Sequence, residues 1–165
     1  MSQEPRDLPR DLPRDLPSDL EDAIAFDADG LVPAVARQHD SGEVLMMAWM
    51  NRESLAATLK SGQVTYWSRS RRALWRKGER SGQTQALKRL LIDCDGDTLL
   101  LEVDQAGVAC HTGRRSCFYR ALEGQALVEV LPVAADPEQL YGTGVPAESG
   151  PLDGPVDGPV DGRDD

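Results

Sequence analysis

The chain has 165 residues, with 28 Asp and Glu against 18 Lys and Arg, for a formal net charge of −10. That length suits a single domain, no apolar run approaches the roughly 20 residues that span a bilayer, and the first residues lack the basic start and apolar core of a signal peptide, so a cytoplasmic protein is expected. Three cysteines cannot all pair within one chain, and a reducing compartment favours thiolate chemistry over disulfides.

The acid excess belongs to the ends. Residues 1–22 carry seven acids and three bases, and residues 146–165 carry six acids and one base. Arg6 to Pro17 repeats RDLP three times, and Pro151 to Gly162 reads PLDG, PVDG, PVDG. A four-residue unit with Pro in every copy holds neither a helix nor a sheet ladder, and it offers little apolar surface against ordering entropy. Residues 1–22 and 141–165 are therefore expected to be disordered acidic tails around a folded unit at 23–140.

Within that unit, strands dominate. Leu31 to Ala36 reads as a strand, and Asp40-Ser-Gly as a turn. Val44 to Met50 (VLMMAWM) is nearly continuous in apolar residues and predicts a strand buried on both faces. Asn51 caps a predicted helix from Arg52 to about Lys60, with Leu55 and Leu59 on one face and Gly62 to end it. Val64 to Ser70 predicts a strand by alternation. Ala86 to Asp93 and Thr98 to Asp104 predict two more, joined by a tight turn at Gly96. A loop with CHTGRRSC follows Gly107, then a strand or short helix from Phe118. The expected class is α+β, a small and mainly antiparallel sheet with one or two helices.

Three features carry chemistry. The spacing of Cys94, Cys110 and Cys117 matches no standard zinc-finger or redox pattern, since no CxxC occurs. Free cysteines are often just small buried apolar residues. These three, however, sit among polar neighbours (Asp-Cys-Asp, Cys-His-Thr, Arg-Ser-Cys), where a metal-bound thiolate is at home. Three cysteine ligands with a fourth position open describe a catalytic zinc site. His111 is then a candidate either as fourth ligand or as acid–base group.

The second feature is Asp93, Asp95 and Asp97 in DCDGD. Alternate residues of an extended segment share a face, and Gly96 supplies the bend that lets Asp97 curl back. Three carboxylates suit a hard cation such as Mg²⁺, although an acidic hairpin turn of this kind is also common without one. The third feature is basic: between Lys60 and Arg89 there are nine Lys or Arg and one acid, Glu79. Ser68, Arg69, Ser70 and Arg71 mix hydroxyls with guanidiniums, as phosphate oxygens require. Trp67 and Trp75 are placed to stack a base. The acidic tails and the Asp triplet disfavour a long nucleic acid, so a small phosphorylated ligand is expected, with a solvated basic face as the plain alternative.

In order, the blocks LMMAWMNRESL, GQVTYWSRSRRALWRKGERSG, DCDGDTLLLEVDQAGVACHTG and RRSCF closely resemble the phosphoribosyl-AMP cyclohydrolase family. The resemblance covers about residues 25–120, neither tail included, and is to the stand-alone form of that enzyme. It implies hydrolytic opening of the purine ring of 1-(5-phosphoribosyl)-AMP between N1 and C6, by a zinc-activated water, at the third step of histidine biosynthesis. It implies a homodimer with zinc at the interface, Cys94 coming from one subunit and Cys110 with Cys117 from the other. Asp93, Asp95 and Asp97 correspond to magnesium ligands. On that reading His111 is the proton shuttle, Trp67 stacks on the purine, and Ser68, Arg69, Ser70, Arg71 and Lys77 meet the substrate and its two phosphates. A nucleoside deaminase is excluded, because neither half of its zinc signature is present. The remaining alternative is a non-catalytic, zinc-stabilised nucleotide-binding module with His111 closing the metal site.

Overall fold

In β1 (Val32–Gln38), Val32, Ala34, Ala36 and Gln38 are buried and alternate with half-buried Pro33, Val35 and Arg37. That period of two is what a sheet covered mainly on one face requires. β2 (Val44–Met50) pairs antiparallel with β1 and buries Met46, Ala48 and Met50 on the same side. Met47 and Trp49 point the other way and are only half-buried, so the strand expected to be covered on both faces is fully covered on one. The computed structural model describes residues 16–141.

After β2 the chain enters α2 (Arg52–Ser61), preceded in the chain by the short α1 (Ser18–Ala23). The cap is reciprocal: Ser54 N–H donates to Asn51 Oδ1, and Asn51 N–H donates to Ser54 Oγ, each at 2.8 Å. Gly62 ends the helix in a left-handed conformation, its N–H reaching Thr58 O at 2.8 Å. Buried Thr58 then fastens the helix to β3 (Thr65–Ser68), because its Oγ1 accepts from Thr65 N–H at 2.9 Å.

β4 (Ala73–Arg76), β5 (Gln85–Ile92) and β6 (Leu99–Gln105) complete a six-stranded sheet in the order β4-β3-β2-β1-β6-β5. Neighbours run antiparallel except β1 and β6, which pair parallel from Ala34–Leu99 to Gln38–Val103. The sheet is therefore mixed, since β1, between the antiparallel β2 and the returning β6, can oppose only one of them. Its buried face forms one core with Leu45, Leu55, Val64, Tyr66, Trp75, Leu87, Leu99, Leu101 and Val103.

Beyond this sheet, β7 (Arg120–Glu123) and β8 (Ala126–Glu129) form a separate hairpin, and α3 (Pro137–Tyr141) ends the described part. Three short helices thus stand where one or two were expected. α1 and α3, at six and five residues, are too short to show a helical apolar period. α1 also corrects the tail boundary at residue 22. Once the Pro repeat stops, Leu16, Leu20 and Ile24 pack on the core, and Glu21 pairs with Arg52 at 2.8 Å. The rest of the tails expected to be disordered, residues 1–15 and 142–165, lies outside the described residues, and among those described no helix is long and apolar enough to cross a membrane.

Candidate active site

The loop after β6 folds back on itself. Cys110 N–H donates to Arg114 O and Ala109 N–H to Arg115 O, both at 3.1 Å, while Cys117 N–H reaches Leu45 O at 2.8 Å. Arg115 clamps the loop to the sheet through Gln105 O, Gly107 O and Gln38 Oε1. Beneath the clamp runs a buried chain of polar groups. Tyr66 Oη donates to Gln85 Oε1, Gln85 Nε2 to Gln105 Oε1, and Gln105 N–H to Gln38 Oε1, at 2.8, 2.8 and 3.0 Å. Gly113 has φ +80°, and a Cβ there would lie 1.9 Å from Ala135 O, so the turn between the cysteines admits only glycine.

This folding brings Cys110 and Cys117 side by side, with His111 next to Cys110. The Cys117 side chain beside it is the largest influence on Cys110; with smaller contributions from His111 and from Thr112 Oγ1, which donates to its sulfur at 3.1 Å, it outweighs burial and pulls the Cys110 thiol well below its usual range. Cys117 is pushed up, first by Cys110 beside it and then by burial, while the charge of Lys77 works the other way. Lys77 is 1 % exposed, a buried cation close to a sulfur pair. His111 Nδ1 is buried with no hydrogen-bond partner among the described residues. Two adjacent sulfurs with a cation nearby fit a soft metal such as zinc, while among the described residues only the acids at 93, 95 and 97 gather three possible ligand atoms within 4.8 Å of one another.

Cys94 is elsewhere. It is exposed in the β5–β6 turn, just past the Asp93–Thr98 hydrogen bond, whereas Cys117 is tied to Leu45 beside the Ala36–Arg37 bulge. Through the β1–β6 register, Thr98 and Leu101 mark the two levels, so about 10 Å of strand separates them at ~3.3 Å per residue. Within one chain the three sulfurs are not gathered; Cys94 stands at the opposite end of the sheet.

Beside Cys94 are the three acids. One oxygen from each of Asp93, Asp95 and Asp97 lies within 4.8 Å of the others, all three residues being exposed. Gly96 makes the turn at φ +79°, and its carbonyl accepts from Ala25 N–H at 2.8 Å. For Asp93, hydrogen bonds from Thr98 N–H and the neighbouring acids overcome the opposing effect of desolvation and lower its pKa. For Asp97, the Thr98 hydroxyl lowers the pKa, but Asp93 and Asp95 together outweigh it and raise it. An oxygen cluster whose mutual repulsion holds one acid toward its protonated form fits a hard cation.

The basic segment divides. Ser68 is buried and binds the turn after β3, accepting from Arg71 N–H at 3.3 Å and Arg71 Nε at 3.4 Å, with Ser70 Oγ also at 3.4 Å. Arg69 stacks over Trp49 at 4.6 Å. Trp75 is not available to a base: it is 2 % exposed and packs against Tyr66 in the core. A cleft of about 350 Å³ is lined by Asp29, Leu31, Asn51, Trp67, Arg69 and Arg72. Trp67 and Arg69 were expected at a substrate site. Asp29 and Arg72 were not, and Asn51 was legible only as a helix cap.

Residues 46–119 match the family model described as phosphoribosyl-AMP cyclohydrolase. A protein of that name from Rhodospirillum centenum is 67% identical over 121 residues, spanning 73% of this chain and 91% of its own. The corresponding protein from Paramagnetospirillum magneticum is 68% identical over 118 residues, covering 72% of this chain and 89% of that one. One from Alkalilimnicola ehrlichii is 66% identical over 119 residues, covering 72% and 84%.

Proposed function

The chain belongs to the phosphoribosyl-AMP cyclohydrolase family, and on that basis we propose that it opens the purine ring of 1-(5-phosphoribosyl)-AMP between N1 and C6 with the help of zinc and magnesium. The product is the formimino aminoimidazole carboxamide ribotide, and the step is the third of histidine biosynthesis, carried out in the cytoplasm. Membership in an enzyme family sets aside the non-catalytic module.

The observation that carries the metal reading is the split of donors between the two ends of the sheet. Cys110 and Cys117 lie side by side near a buried lysine, while Cys94 stands with three acids in the β5–β6 turn. Two chains pairing with these ends in contact would complete a three-sulfur site, so we read the enzyme as a homodimer with zinc held by Cys94 of one subunit and by Cys110 and Cys117 of the other. Asp93, Asp95 and Asp97 would hold magnesium. Zinc, when bound, supplies a water acidified from pKa 15.7 toward about 7, and so nucleophilic at neutral pH.

The chain's own groups supply the remainder. His111 takes a proton from the water that adds to C6 and returns one to N1 as the N1–C6 bond breaks, leaving the amide carbonyl at C6. An imidazole serves both directions because one ring nitrogen can accept a proton and later give it up. Lys77 offsets the negative charge of the sulfurs. Trp67 stacks on the purine, and Ser68, Arg69, Ser70 and Arg71 face the phosphorylated substrate, Ser68 chiefly by fixing the turn.

The test is to mix purified protein with phosphoribosyl-AMP, Zn²⁺ and Mg²⁺, follow ring opening by ultraviolet absorbance, and measure bound zinc, with Cys110→Ser alongside. Turnover and zinc that the variant lacks are expected. Zinc binding without turnover would overturn the mechanism, and turnover in Cys110→Ser would overturn the ligand assignment.

A further inference from the structure

Val108, two residues before Cys110, is held from both sides by glutamines. Its N–H donates to Gln83 Oε1 at 2.9 Å, and its carbonyl accepts from Gln105 Nε2 at 3.3 Å. The same Gln105 Nε2 donates to Gln83 O at 3.1 Å and to Ala106 O at 2.8 Å, so two hydrogens are spread over three carbonyls. Past Val108, Ala109 and Cys110 bond to the returning part of the loop at Arg115 and Arg114. Gln105 ends β6, and its grip sets where the Cys110–Cys117 loop departs from the sheet.

The polarity of this grip runs back into the core. Carbonyl oxygens only accept, so Gln105 must face them with its N–H₂ and turn its Oε1 away. That oxygen meets Gln85 Nε2 at 2.8 Å. Gln85 Nε2 also faces Met46 Sδ at 3.3 Å, and a thioether only accepts. A reversed Gln85 would set oxygen against both of those acceptors. Its Oε1 therefore points at Tyr66, whose hydroxyl donates at 2.8 Å. A phenol keeps its proton at neutral pH, and more firmly when buried. Tyr66 and Gln85 are fully buried and Gln105 is 5 % exposed, so a lost partner is not made good by bulk water. The chain admits one polarity, and the Tyr66 hydroxyl supplies the donor that completes it.

We propose that Gln105 is the positioning residue of the Cys110–Cys117 loop, and that Tyr66, acting through Gln85, holds its amide in the orientation that grips Val108. The inference rests on the zinc reading above for its consequence: a loop seated in this way presents both sulfurs to the metal.

Zinc affinity by chelator competition and amide hydrogen exchange, both on the full chain, test it in Tyr66→Phe, Gln105→Met and the two combined. Gln105→Met keeps the reach of the side chain and removes its amide. Zinc should bind about 10- to 100-fold more weakly, as when a group behind a metal ligand is lost. Tyr66→Phe should weaken zinc roughly 3- to 10-fold, as for one neutral hydrogen bond. Because Gln105→Met already breaks the chain, the double variant should bind zinc as Gln105→Met does. Unchanged affinity in a folded Gln105→Met, or losses that add in the double variant, would overturn the proposal.

Exchange in the metal-free protein separates it from the zinc reading. The Val108 and Cys110 N–H groups should lose protection in Gln105→Met, and to a smaller degree in Tyr66→Phe, beyond any loss shared by the β1–β2 amides. An even loss across the sheet would mean plain destabilisation and overturn it. Tyr66→Phe, which keeps the shape of the core, decides the matter if Gln105→Met does not fold: wild-type exchange at Val108 would overturn the proposal. A wild-type chain that holds no zinc would overturn the ligand assignment, and the exchange pattern would then decide the proposal by itself.

Discussion

Gly96 and Gly82 make a matched pair for testing how the acidic turn is held. Both have a left-handed backbone, at φ +79° and +75°, but a Cβ on Gly82 would meet nothing within 4 Å, whereas one on Gly96 would lie 2.2 Å from Ala23 O. Gly82→Ala should therefore cost only the left-handed penalty, about 1–2 kcal/mol. Gly96→Ala has the same penalty and more. Ala23 O, at the end of α1, must retreat by 0.8 Å to reach even 3.0 Å, the limit below which real Cβ contacts essentially never fall. That retreat pulls against the Ala25–Gly96 hydrogen bond, whose loss adds about 1 kcal/mol, and against the seating of Leu20 and Ile24 on the core. A total near ~3–4 kcal/mol is expected, roughly twofold that of Gly82→Ala. Urea unfolding of both variants measures it, with equal m-values confirming a like-for-like comparison. Magnesium binding, followed by calorimetry, should weaken in Gly96→Ala alone, because the turn that gathers Asp93, Asp95 and Asp97 is displaced. Equal losses of stability in the two variants would refute the reasoning, since the clash would then carry no weight.

Three other outcomes are expected. His111→Ala should keep its zinc and lose turnover by ~10²–10⁴-fold, as for a missing acid–base group; loss of zinc together with the fold, by metal analysis and circular dichroism, would show that His111 is a structural ligand instead. Arg115→Ala removes a donor from Gln105 O, Gly107 O and Gln38 Oε1, the last still held by Gln105 N–H, so stability should fall by about 2–3 kcal/mol and zinc should be held less tightly, whereas denaturant midpoints matching wild type would show that the loop needs no clamp. A chain trimmed to residues 16–141 should keep full activity in the ultraviolet assay, and a large drop would assign the Pro-containing repeats a working role.

Local chemistry made much of this molecule readable. The cap at Asn51, the Leu55–Leu59 spacing and Gly62 identify α2 because each acts within one or two helical turns. The apolar run of β2 and the turn at Gly96 are legible for the same reason. So are the ordered motifs that carry the family, because motif identity survives without knowledge of the fold. The parallel pairing of β1 with β6 is different. It joins residues more than sixty positions apart, and nothing near either strand states it.

The same distinction runs through the site. The sequence by itself determined which residue types are present: three cysteines in polar settings, three acids around a glycine, and a basic run with tryptophans. Only the tertiary structure decided their grouping. It put Cys110 and Cys117 side by side and Cys94 apart from them in the exposed β5–β6 turn. It buried Trp75 and Lys77, from a run that read as exposed and basic, and it brought Asp29 and Asn51 beside Arg69 and Arg72. The physical reason is that burial and charge pairing depend on which strands meet, and that outcome is set by the whole core at once rather than by any one segment.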